Sequence, residues 1–172
     1  MGVKGNAILG LITLAAFIGC GLMAQAQESQ VDYDGFVDLS AEISDYRSSR
    51  LVDLGTFHEM KADSDTIILD TRSAEAYRLG HIDGAAHLNF SDFTDDKLAQ
   101  LIPSKDTRIL IYCNNNFTDN VAPVPVKRIE LALNVPTFIN LYGYGYENIY
   151  ELDGAYPLAE PAIHWVGEVS PL

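Results

Sequence analysis

Two short apolar runs constrain this chain more than anything else in it. Thr66-Ile67-Ile68-Leu69 stops at Asp70, and Arg108-Ile109-Leu110-Ile111-Tyr112 stops at Cys113. Both are β-branched or aliphatic throughout and are bounded by polar clusters. A strand with no polar face must be covered on both sides, which is the situation of a central strand in a parallel sheet. Parallel neighbours need a crossover between them, and two helical patterns lie in the intervening stretch. Ser73 is placed to cap a helix over 74–79 that stops at Gly80. Thr94 is placed to cap a second over 95–102 that stops at Pro103. Alternating strand and helix give an α/β class with a parallel sheet.

The flanking regions add elements of the same kind. Ala86-His87-Leu88, Leu51-Val52 and Asn148-Ile149-Tyr150-Glu151-Leu152 are expected as further strands. A short helix over 41–49, capped by Ser40, and another opening at Thr56 are expected on the N-terminal side. The segment 114–136 holds Pro123, Pro125 and Pro136 with a short helical pattern at 129–133. Pro136 suits the first turn of a helix over 137–144, closed by Gly145. The last stretch, 156–172, is expected to wrap the surface with Trp165 as its anchor.

Residues 1–26 read as an address rather than as part of the fold. Lys4 is followed by an apolar run and then by Ala24-Gln25-Ala26, a small-x-small site with cleavage before Gln27. Export, with the bacterial periplasm as destination, is the expectation. Phe17-Ile18-Gly19-Cys20 loosely matches a lipobox, so a lipoprotein anchored at Cys20 is the alternative. Residues 27–49 then form a polar lead-in with the short helix. Cleavage leaves one cysteine, Cys113, and no internal disulfide.

Charge narrows the partners. The chain carries 11 basic and 24 acidic residues, a net of −13. Nucleic acid demands a basic face, so it is excluded as a partner, and so is strong binding to anionic lipid without lipidation. One mature cysteine and scattered histidines (His58, His87, His164) give no zinc spacing, and no metal or cofactor is expected.

In an open α/β sheet, ligands bind beyond the carboxyl ends of the strands. Cys113 sits at such an end, followed by Asn114-Asn115-Asn116. Backbone N–H groups of that loop can converge on the sulfur and lower its pKa, because a nest of donors favours the thiolate. The same three asparagines also suit a simple turn.

Several segments together resemble the rhodanese-like domain. They are Ile68-Leu69-Asp70-Thr71-Arg72, Glu75-Ala76-Tyr77, Gly80-His81-Ile82-Asp83-Gly84-Ala85 with Asn89, the strand delivering Cys113, and Gly145-Tyr146-Glu147-Asn148-Ile149-Tyr150-Glu151-Leu152. The likeness spans residues 50–155. It implies a sheet of about five parallel strands with helices on both faces. It also implies a sulfurtransferase in which the Cys113 thiolate takes a sulfane sulfur from a donor such as thiosulfate. The resulting persulfide, held by Asn114, Asn115, Asn116, Phe117 and Thr118, passes its sulfur to a thiol or cyanide. Asp70, Arg72, Glu75, Gly80, His81 and Gly84 are implied as structural.

The loop departs from the family. A basic residue is usual after the cysteine, whereas here the sixth position beyond it is Asp119. No base lies between Tyr112 and Lys127. An acid at the mouth would repel thiosulfate and raise the thiol pKa. Lys127 and Arg128, in the long segment before Pro136, are candidates to fold back and supply positive charge. Cysteine-dependent phosphatases are excluded, since they need Arg where Asp119 stands. Asn116-Phe117-Thr118 also fits a glycosylation sequon. The alternatives to sulfur transfer are a catalytically silent binding module in the cell envelope, with Tyr142, Tyr144 and Tyr146 as its surface, and a thiol-redox protein.

Overall fold

The computed structural model describes residues 1–2 and 28–168. The proposed signal peptide and Cys20 lie outside the described residues. By compactness the chain divides into Met1–Asp32 and Tyr33–Leu172, and everything below belongs to the second unit.

The elements run in the order α1 (Tyr33–Ser48), β1 (Leu51–Val52), α2 (Leu54–Lys61), β2 (Thr66–Asp70), α3 (Ala74–Leu79), β3 (His81–Ile82), β4 (Ala86–His87), α4 (Asp95–Leu101), β5 (Arg108–Tyr112), α5 (Asn134–Gly143), β6 (Ile149–Leu152) and β7 (Trp165–Val166). Five strands form one parallel sheet in the order β1-β6-β5-β2-β4. The two apolar runs, β2 and β5, are adjacent and in register from Thr66↔Arg108 to Asp70↔Tyr112. Asp70 and Cys113 therefore reach the same carboxyl edge.

Strand periodicity sorts the core into two layers. Ile109 and Ile111 of β5 face one side with Ile43, Leu98 and Phe138 of the helices α1, α4 and α5. Leu110 and Tyr112 face the other with Phe57 of α2 and Leu158 and Ile163 of the tail. The caps of α3 and α4 are as expected, with Ser73 accepting from the Ala76 N–H and Thr94 from the Lys97 N–H.

Three expectations need correction. The N-terminal helix is 16 residues long and begins at Tyr33, not a short piece over 41–49. Its propensity is modest, so the helix is held chiefly by packing: Ile43 is buried and Tyr46 meets Phe138 edge-on. Helix α2 begins at Leu54, with Asp53 rather than Thr56 in the capping role; the Asp53 side chain accepts the Thr56 N–H. Helix α5 begins at Asn134, two residues before Pro136, which still falls within the first turn, where no intrahelical donor is required.

Within the tail, β7 pairs antiparallel with β3, with Ile82↔Trp165 and His81↔Val166. The two histidines His58 and His164, distant in sequence, meet with ring centroids 4.4 Å apart.

Candidate active site

Cys113 follows β5 directly, and the chain then makes a single 3-10 turn over Asn114–Asn116. The turn is fastened by Asn116, which is buried and saturated. Its Oδ1 accepts from the Cys113 N–H at 2.9 Å, and its Nδ2 donates to the carbonyls of Leu152 and Gly154. Asn116 thus ties the end of β5 to the end of β6. With its side chain engaged in this way, the sequon is not displayed.

The chain leaves the site at Phe117 and returns to it by Ile129. Cys113 is 1% exposed. Burial, the largest influence, pushes its thiol pKa up, and the nearby Glu151 charge acts in the same direction. The nearby backbone N–H groups of Asn134, Asn115 and Leu133 oppose this. The amides that favour the thiolate belong to two places, one in the turn and two at the start of α5. First-turn amides have no intrahelical partner, which leaves them free for the sulfur. The net outcome corrects the expected low pKa: the thiol sits above its ordinary value.

The acid that faces Cys113 is Glu151, not Asp119. Asp119 turns to the tail, where its Oδ2 accepts the Leu158 N–H at 2.9 Å. Glu151 is held by Arg47 of α1 through a two-pronged contact, Nε to Oε2 at 2.8 Å and Nη2 to Oε1 at 2.7 Å. Asn134 Nδ2 donates to Glu151 Oε1 and to Asn116 Oδ1. Asn134 Oδ1 is buried without a hydrogen-bond partner among the described residues. Arg47, Cys113, Asn115, Ile129, Asn134 and Glu151 line a common cavity of about 210 Å³.

Other expected members of the loop are elsewhere. Phe117 is buried in the second core layer against Tyr112 and Trp165. Thr118 is exposed and its N–H pairs with the Tyr156 carbonyl. Neither lines the cysteine cavity, because the chain has already turned toward the tail. Asn114 donates to the Pro125 carbonyl, and Asn115 exchanges two hydrogen bonds with the Lys127 backbone. Those bonds fix the Lys127 main chain, and Lys127 lines a second groove, of about 730 Å³, beside α3. Lys127 and Arg128 are both exposed and do not line the cysteine cavity.

At the neighbouring strand end, Asp70 and Arg72 form a buried pair at 2.6 Å. Asp70 also accepts the Tyr112 hydroxyl proton, and Arg72 donates to the Gly80 carbonyl. Glu75 is exposed on α3 at the rim of the larger groove. His81 bonds the Tyr77 carbonyl through Nδ1 and stacks on the Tyr77 ring. Gly80 packs so closely under Trp165 that a Cβ would enter the indole, and Gly84 has φ +81°. Tyr142, Tyr144 and Tyr146 pack on the first core layer rather than forming an exposed aromatic surface. Among the described residues, no group of three or more His, Cys, Asp or Glu is placed to hold a metal ion, and no helix is long and apolar enough to cross a membrane.

Residues 53–158, well over half the chain, match the sequence profile of the rhodanese-like domain. The chain belongs to the rhodanese-like domain family. That family is of sulfur-transfer type. A curated relative, the tRNA uridine(34) hydroxylase of Bdellovibrio bacteriovorus, is 32% identical over 98 residues, covering 55% of this chain and 23% of that protein. The chain thus spans under a quarter of that relative's length. Among solved structures, the Alr3790 protein of Anabaena sp. is 19% identical, with a TM-score of 0.46, over 69% of this chain and 93% of that one. A thiosulfate sulfurtransferase from Pseudomonas aeruginosa is 15% identical, with a TM-score of 0.46, over 70% of this chain and 20% of that one.

Arg47, Glu151 and Asn134 are the residues that sequence reasoning missed in this rhodanese-like site. Glu151 lies within the matched closing segment, so its position was visible although its role was not. Arg47 is outside residues 53–158 and meets its partner across 104 positions, and no local pattern reports such a contact.

Proposed function

We propose that this rhodanese-like chain is a sulfurtransferase acting through Cys113. The observation that carries the reading is the place of Cys113, directly after β5 at the carboxyl edge of the sheet, where it lines a cavity with Asn115 and Asn134. Nearby backbone N–H groups stabilise negative charge on the thiolate and on a persulfide. In the first half-reaction the Cys113 thiolate attacks the outer sulfur of thiosulfate. The S–S bond of the donor breaks, and sulfite leaves with its electron pair. In the second, an acceptor thiolate or cyanide attacks the terminal sulfur of the persulfide, and the Cys113 thiolate departs. The acceptor is a small thiol or a protein thiol, and export through residues 1–26 would place the reaction in the cell envelope.

A second reading, a binding module without catalysis, is favoured by the burial of Cys113 and its raised thiol pKa. Intact mass separates the two. The reduced protein gains about 32 Da, one sulfur, on treatment with thiosulfate, and loses it to cyanide or thiol; Cys113→Ser gains nothing. No gain from thiosulfate, polysulfide or a mercapto-acid donor would leave the binding module.

A further inference from the structure

The cysteine cavity contains one cationic side chain among the described residues, and it comes from an element outside the matched family segment. We propose that Arg47, delivered by α1, is the donor-contacting basic residue of this site and makes the N-terminal helix part of it. The inference rests on the sulfur-transfer reading for its substrate, but not for its test.

Four observations point the same way. Arg47 lines the cavity with Cys113. It engages Glu151 through Nε and Nη2, while Nη1 makes no hydrogen bond among the described residues. The guanidinium is neither sealed nor loose: its side chain is 34% exposed, against 8% for Glu151. A cavity of about 210 Å³ lies below the usual range for drug-sized ligands, which suits a solute of a few heavy atoms. Two carboxylates line the same space. Glu151 is neutralised by Arg47, and Asp153 accepts the Gly154 N–H while remaining exposed. Without Arg47 the cavity would hold two negative charges and no positive one, and an anion would be excluded. With it, a guanidinium lines the same cavity as the sulfur, and a planar guanidinium is the group that recognises oxyanions. The guanidinium is fixed by Glu151, so little side-chain entropy remains to be lost when the donor arrives.

The test uses two alkylating reagents of nearly the same size, iodoacetate and iodoacetamide, on the full-length protein. The ratio of their rates at Cys113 cancels the thiolate fraction, which both share, and reads only the preference for negative charge. Arg47→Gln is expected to lower that ratio about three- to tenfold. The double variant Arg47→Gln/Glu151→Gln restores the local charge balance, so it separates contact from neutralisation. If Arg47 touches the anion, the ratio stays low in the double variant. If it returns to the wild-type value, Arg47 merely offsets Glu151 and the proposal is overturned. An unchanged ratio in Arg47→Gln also overturns it, as does an equal fall in Lys127→Gln/Arg128→Gln. Near-ultraviolet circular dichroism checks folding. Should both Arg47 variants fail to fold, the wild-type protein decides: sulfite must slow iodoacetamide at Cys113, and no protection overturns the proposal. Absence of reaction with either reagent overturns it as well. A ratio that behaves as expected, with no sulfur gained from thiosulfate, leaves the anion site standing and removes the sulfur-transfer reading.

Discussion

Cys113 shows how one side chain can be pulled in two directions. Burial and Glu151 favour the thiol, while three amide donors favour the thiolate, and the former prevail. Alkylation of Cys113 by iodoacetamide is therefore expected to rise with pH through an inflection above that of a free cysteine. Glu151→Gln, which keeps a hydrogen-bonding group beside Arg47, moves the inflection to lower pH. The same shift bears on stability. The folded protein keeps the thiol proton to higher pH than the unfolded chain does. Its contribution is complete below the ordinary thiol pKa of about 8.5 and is lost as pH rises toward the folded value. Tyr112, buried beside Asp70, has its hydroxyl pKa pushed well up and acts with the same sign from about pH 10. Urea midpoints measured from pH 7 to 11 should fall, and Cys113→Ser should flatten the lower part of the fall. The position of Cys113 at the carboxyl end of a central strand was legible in the sequence, because the apolar run before it stops there. The electrostatics of the thiol were not, because Glu151 and Arg47 reach it only through tertiary packing.

Among the elements, the central strands and their crossovers were legible for a simple reason. Apolar runs such as Ile109-Leu110-Ile111 and caps such as Ser73 and Thr94 are local signals, and local signals survive folding. Helix α1 was underestimated because Gly35, Asp38 and Ser40 weaken its propensity, and its long-range contacts with α5 make good the difference. Ile43→Ala should accordingly cost about 2–4 kcal/mol in chemical denaturation, the range for a large-to-small change in a packed core. The pair Asp70–Arg72 illustrates the opposite case, a local motif whose cost appears only on breaking it. Asp70→Asn leaves the Arg72 charge buried opposite a neutral amide and should destabilise by about 3–5 kcal/mol. If the loss is under about 1 kcal/mol, water reaches Arg72 and the pair is less secluded than its burial indicates.

For the molecule as a whole, charge is the governing property. At a net of −13 the protein repels any anionic donor at long range, whatever the cavity does at short range. Raising ionic strength from about 10 to 150 mM shortens the screening length from about 30 to 8 Å. The rate of Cys113 modification by thiosulfate or iodoacetate should then increase about two- to fivefold, with iodoacetamide unaffected. A decrease would mean that a local positive field dominates the approach. The sequence gives the sign of this effect directly, since it needs no structure, whereas the placement of Arg47 on the cavity of Cys113 needed the whole fold.

The bond between Arg47 and Glu151 joins the first helix of the compact unit to the last strand of its main sheet. Proteins are made from one end, and contacts across so many residues close late. While the chain emerges from the ribosome, α1 is present for some hundred residues before its partner exists, and Cys113 is made well before β6. The sulfur thus spends its early life beside neither the acid that restrains it nor the base that offsets that acid. Both come into place together, when β6 adds to the sheet, so the surroundings of Cys113 are complete only once Glu151 has been made.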